Sequence, residues 1–236
     1  MSTPMLETSA PMLARLRLFQ IISPSLPIGG FTYSQGMEWA VESGWLSTAA
    51  DTKQWLRSVL NDNLVYLELP IIKRLYEAMA DNSPEQFCHW SGYLLANRET
   101  AELRAEERQR ARAFAELLRQ LPQWNAKQEL DSYQAGVQLS QSAGFALAGY
   151  TWQIPLQELL AGFTWAWLEN AVNAAIKLVP LGQTAGQTLL YQLGSHIPQV
   201  IDSALTVEDD ELGASTAALA IASSLHETQY CRLFRS

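Results

Sequence analysis

Histidine, cysteine and acidic side chains are the groups through which a chain binds metal or moves protons, and here they are few and scattered. The three histidines, His89, His196 and His226, lie far apart. His226-Glu227 opens like a zincin helix, but Tyr230 stands where the second histidine of HExxH belongs, so zincin chemistry is excluded. Only Cys88–His89 and His226 with Cys231 put soft ligands near one another. Adjacent residues on a helix point about 100° apart, so Cys88 and His89 do not chelate from one helix. No preformed metal site is therefore expected; His226 is the one candidate ligand, and a symmetric dimer could bring two copies of one histidine together. No Ser-His-Asp order, nucleophile elbow or cofactor fingerprint occurs, and GGFTYSQG fits neither GxGxxG nor GxxxxGK[ST]. The sequence does not argue for an enzyme.

Four patches carry the remaining signal. The first, Ser23 to Glu38, reads SPSLPIGGFTYSQGME. Its prolines fix φ and Gly29-Gly30 permits left-handed angles, which makes a rigid inter-helix loop presenting Phe31 and Tyr33 at its far end. Either those aromatics are core or they face a partner. The second, Arg98 to Arg112, holds a large share of the arginines. Its pairs Arg98–Glu102 and Glu106–Arg110 at four residues, and Arg104–Glu107 at three, suit a solvated helix face. The sharper reading is a docking ridge built on Arg98, Glu102 and Arg104. The third, Val172 to Gln187, sets Lys177 in an apolar turn, so that it must snorkel, pair with a carboxylate or face a cavity. The fourth is the terminal HETQYCRLFRS, whose arginine and aromatic residues are types enriched at interface hot spots.

The elements that must position these patches are helices. Pro11 followed by MLARLRLFQII gives a first helix. Thr48 and Asp51 have capping-box spacing ahead of a helix whose apolar residues recur at three and four. Pro70 opens another, and Ser83-Pro84 a further one through Trp90 and Leu94. Others span 98–121, 132–149, 155–178, 183–196 and 213–226. Short breakers separate them at 23–30, 82–84, Pro122, 180–182 and the acidic 208–211. No composition shift or fixed-period repeat divides the 236 residues, so the expectation is one all-α domain, 1–236, of eight to ten helices. Residues 1–10 read as flexible.

Composition narrows the partners. Lys plus Arg number 16 against 24 Asp plus Glu, and a net charge of -8 argues against a phosphate backbone as ligand. Only 17% of residues are charged, below the usual quarter or so, which leaves weakly polar surface for other proteins. Two cysteines make no disulfide framework. The start lacks a basic stretch followed by an apolar one, and no apolar run is long enough for a bilayer, so a cytoplasmic protein is expected with no membrane partner.

Together the four patches resemble the urease accessory protein UreF family. SPSLPIGGFTYSQGMEWAVESG (23–44), RETAELRAEERQRARAF (98–114), VNAAIKLVPLGQTAGQ (172–187) and HETQYCRLFRS (226–236) carry the likeness, in the family's order and nearly end to end. Cys231 stands where the family often has serine, and Met37 where leucine is usual. The resemblance implies an all-helical homodimer without a reaction of its own and without a cofactor. It implies binding to a second accessory protein, UreD or UreH, recruitment and regulation of the GTPase UreG, and delivery of nickel to apo-urease, with the metal passing through the complex. It places Tyr33 and Arg232 in GTPase recruitment, and makes 227–236, with Leu233, Phe234 and Arg235, a partner-docking tail. The competing expectation is a helical carrier that holds nickel itself.

Overall fold

The computed structural model describes residues 9–121, 127–213 and 215–236, and every regular element among them is helical. In chain order these are α1 (Ser9–Ile22), α2 (Met37–Glu42), α3 (Ala49–Val59), α4 (Leu69–Ala80), α5 (Pro84–Ala96), α6 (Ala101–Gln120), α7 (Lys127–Ser132), α8 (Gln134–Val137), α9 (Gln141–Thr151), α10 (Leu156–Leu178), α11 (Gln183–Gly194), α12 (Ile197–Leu205) and α13 (Ala217–His226). That exceeds the expected eight to ten because several are only one or two turns long. The breaker at Pro122 and most of the 1–10 segment lie outside the described residues; Ser9 and Ala10 begin α1.

Local chemistry explains the starts. Thr48 and Asp51 close their capping box, Asp51 N–H reaching Thr48 Oγ1 at 3.2 Å and Thr48 N–H reaching Asp51 Oδ2 at 2.9 Å. The Thr48 hydroxyl, donating to Asp51 Oδ2 at 2.8 Å, and after it the Ser47 N–H and hydroxyl, each at 3.1 Å, hold the Asp51 carboxyl below its usual range. The expected helix over 132–149 is instead α7, α8 and α9. Ser140 caps α9 through Ala143 N–H, its hydroxyl meets that of Ser91 at 2.8 Å, and Ser91 donates to Gly136 C=O at 2.7 Å. Ser91 is on α5, so the contact that holds the break in place is not a local one.

Pro70 does not open a new helix. α3 runs without interruption through a π-helical stretch, Leu60–Glu68, into α4. A mid-helix proline removes one N–H and crowds the carbonyl behind it, and the wider turns before it accommodate both. The carbonyl of Tyr66 is taken instead by Gly213 N–H at 3.1 Å. The same stretch turns Asn63 toward Thr216, whose N–H it accepts at 2.9 Å, and Glu68 inward.

The core gathers around α9, in which residues 141–149 are all buried. Its small residues let neighbours approach closely: a Cβ on Gly144 would lie 2.5 Å from Phe114 Cδ1. α4, α6 and α10 pack on it. No helix among the described residues is long and apolar enough to cross a membrane.

Arg98, just before α6, joins these elements. Its side chain, 11% exposed, pairs with Glu68 at 2.6 Å and Glu107 at 2.7 Å, and Glu107 also accepts Gln141 N–H at 2.7 Å. Burial alone would lower the guanidinium's pKa, but the two carboxylates and their hydrogen bonds push it above its ordinary value. Arg98→Ala leaves two buried carboxylates without a counter-charge. It should cost roughly 3–5 kcal/mol in urea unfolding; a loss under about 1 kcal/mol, the range of exposed pairs, would show that this cluster is effectively solvated.

Candidate functional site: the loop and tail surface

Loop 23–36 and the last ten residues meet on one side of the molecule. Gly29 and Gly36, both at positive φ, shape the loop. Gly36 also brings it against α13, where an added Cβ would sit 2.6 Å from Ser223 N. The tail then runs back along the loop. Arg235 N–H donates to Thr32 C=O at 2.8 Å, and the Ser236 main-chain oxygen accepts Ser34 N–H at 2.5 Å, Gln35 N–H at 2.9 Å and the Ser34 hydroxyl at 2.7 Å. Phe234 is buried, with the Lys177 ammonium 5.6 Å from its ring centroid. Lys177 also lines a cavity of about 80 Å³ under the loop, together with Phe31, Arg110, Gln141, Glu169 and Asn170. Burial there pushes the Glu169 carboxyl up.

α6 forms the floor. Thr100 Oγ1 accepts Leu103 N–H at 3.1 Å, and Glu227 accepts Ala101 N–H at 2.7 Å, so the residue after α13 caps the start of α6. A carboxylate at a helix N-terminus is favoured by the helix dipole as well as by the bonds. Further along, Gln109 Oε1 accepts the Tyr33 hydroxyl at 2.6 Å, and Glu106 takes the Ser236 hydroxyl at 3.1 Å and Arg110 at 2.7 Å. Gln35 bridges Glu106 at 3.1 Å and the Trp167 indole N–H at 3.1 Å.

The residues singled out by sequence divide sharply. Phe31 and Leu233 are exposed, at 64% and 67%, whereas Tyr33 is 5% exposed. The Arg232 side chain is 39% exposed and pairs with Glu102 at 2.6 Å; Arg235 is exposed and Phe234 is not. The three ridge residues form no exposed ridge. Arg98 is inside, Glu102 is mostly covered, and Arg104 donates to Arg98 C=O at 2.7 Å. Of the spaced charge pairs only Glu106–Arg110 forms as a helix pair, and Glu106 and Glu107 are buried. His226 is wholly buried, its Nδ1 2.6 Å from Glu102 Oε2 and its Nε2 3.3 Å from Glu38 Oε2. Among the described residues no group of three or more His, Cys, Asp or Glu is arranged to hold a metal ion.

Sequence reasoning missed Glu38. It lies in the first turn of α2, and its oxygens accept Leu233 N–H at 2.5 Å and Phe234 N–H at 2.8 Å. The one available signal was an acidic residue inside the SQGME string.

Residues 46–194 match the model of the UreF family. The urease accessory protein UreF of Pseudomonas entomophila (strain L48) is 53% identical over 224 residues, covering 95% of this chain and 98% of its own. The chain belongs to the UreF family. UreF proteins of Alcanivorax borkumensis and Citrobacter koseri are 52% and 47% identical, over 94% of this chain in each case. The match to the Pseudomonas relative covers 95% of this chain and so reaches well beyond the stretch matched by the family model, taking in the loop.

Burial changes what a substitution at Tyr33 reports. Tyr33→Ala should lower stability by roughly 3–5 kcal/mol, the range for deleting a buried ring. Tyr33→Phe should cost about 1 kcal/mol, because it loses only the bond to Gln109. Equal midpoints for both variants in urea unfolding would place the ring in solvent.

Proposed function

We propose that this chain is a non-catalytic adaptor in urease maturation. In this reading it binds a second accessory protein of the UreD or UreH kind, recruits and regulates a UreG-type GTPase, and serves the delivery of nickel to apo-urease. The relatives are named urease accessory proteins, which supports the process. The observation that carries the adaptor role is the joining of loop and tail. Residues about 200 apart in sequence share main-chain hydrogen bonds and offer Phe31, Arg232, Leu233 and Arg235 on one side of the molecule. An exposed aromatic ring, an apolar side chain and fixed guanidinium donors make a protein-binding surface of the hot-spot type.

Tyr33 contributes from beneath, holding Gln109, which Arg235 also reaches at 3.4 Å. Tail residues Leu233, Phe234 and Arg235 belong to the partner-binding set, Phe234 as the buried anchor. The chain holds no cofactor of its own, and nickel is cargo of the complex. A carrier role would rest on His226, whose ring nitrogens both face carboxylates, so a metal there would have to displace at least one of those contacts. The protein works in the cytoplasm.

A homodimer completes the reading. Met12, Leu13, Leu16 and Phe19 of α1 are exposed, as are Trp165 and Tyr191 on α10 and α11. Several large apolar side chains left in water favour a second copy, and two-fold pairing is the commonest closed arrangement.

Two measurements test this. Arg232→Ala should abolish co-elution of the GTPase with the preformed accessory complex while leaving thermal unfolding close to wild type, since the arginine is only partly covered. Normal co-elution would remove Arg232 from the recruiting surface. Sedimentation of the pure chain should give a mass of about twice 26.3 kDa; a monomer at micromolar concentration would contradict the dimer.

A further inference from the structure

The tail's position is set by a relay of four side chains from four parts of the chain. Arg232 Nη1 donates to Glu102 Oε1 at 2.6 Å, and Glu102 Oε2 meets His226 Nδ1 at 2.6 Å. His226 Nε2 faces Glu38 Oε2 at 3.3 Å, and the Glu38 oxygens hold the main-chain N–H groups of Leu233 and Phe234. The relay thus leaves the tail at Arg232 and returns to it one residue later. The ring is wholly buried, Glu38 is buried and Glu102 is nearly so, which makes each contact stronger than it would be in water.

Main-chain capture has a specific consequence. Glu38 grips the tail's backbone and fixes where residues 232–234 run whatever their side chains are. It thereby sets Phe234 inward and Leu233 outward. Glu102 fixes the other coordinate, the direction in which the Arg232 guanidinium leaves the surface. A segment already held in its binding shape loses less conformational freedom on association than a loose one.

We propose that Glu38, His226 and Glu102 are positioning residues for the recruiting arginine, fixing the tail on the loop so that Arg232 and Leu233 are presented beside Phe31. The inference rests on the reading that Arg232 recruits the GTPase. The three residues act through the tail. Glu38 and His226 are buried against it, and Glu102 spends both oxygens on His226 and Arg232.

The test compares Glu38→Gln, Arg232→Ala and the double variant in the full chain, co-expressed with the second accessory protein. Glutamine has nearly the size of glutamate but one acceptor oxygen, so the two oxygens that take the Leu233 and Phe234 N–H groups cannot both remain acceptors. The isolated Glu38→Gln chain should be cut by trypsin after Arg232 several times faster than wild type, with the melting of helical circular dichroism little changed. Its complex should capture the GTPase about tenfold more weakly, the loss of one hydrogen bond to a charged group. In the Arg232→Ala background, Glu38→Gln should add nothing.

Loss of capture in Arg232→Ala with wild-type capture in Glu38→Gln would overturn the positioning role and leave the recruitment reading intact. Normal capture in Arg232→Ala would overturn the recruitment reading, and the positioning role with it. Should Glu38→Gln melt too early to assay, Glu102→Gln takes its place. It keeps the Glu38 grip on the tail backbone and removes the charge facing His226 and Arg232. Its capture should fall to the same extent, and wild-type capture in that variant counts against the proposal.

Discussion

A guanidinium taken out of water has to be surrounded by acceptors, and Arg98 obliges three separate stretches of chain to supply or hold them. Glu68 comes from the π-helical turns before α4, Glu107 from the middle of α6, and Gln141 N–H ties Glu107 to the start of α9. None of these positions can shift without exposing an unpaired charge to an apolar interior. The cluster therefore fixes the angle at which α6 crosses the core. α6 is the floor on which loop and tail are laid, through Glu102, Glu106 and Gln109. Interior electrostatics and the outer surface are thus one construction.

Much of the fold was legible from local signals. Helix starts at Thr48 and Ser83 and the long helix α10 follow from capping chemistry and periodicity acting within a few residues. What was not legible depends on distant partners. The break before α9 is held by Ser91 and Glu107, and the continuity through Pro70 depends on Gly213 N–H donating to the carbonyl of Tyr66, 147 positions earlier in the chain. The arginine–glutamate helix was misjudged for the same reason. Spacing within one helix predicted mutual pairs on a wet face, whereas tertiary contacts took Arg98, Glu106 and Glu107 inward.

The surface shows the same division. Residue types mark loop and tail as unusual, and Phe31, Arg232 and Leu233 are exposed there. Tyr33 differs because its hydroxyl finds Gln109 below it, and a tyrosine with a satisfied polar tip is at ease in an interior. Glu38 drew no notice because a single acidic residue near a helix start has an ordinary explanation in the helix dipole. Only the return of the tail, 195 residues later at Leu233, gives it a second task.

That return also orders events in time. A chain made from one end to the other has residues 34–38 long before 226–236, and the contact between them closes nearly the largest loop the sequence allows. Long-range closures form late, after local helices have already gained their contacts. A nascent chain halted before His226 would hold most of its helices and none of the tail, and Glu38 would be left buried or solvated without its donors. A chain halted before His226 has the helical body but lacks the surface that loop and tail make together.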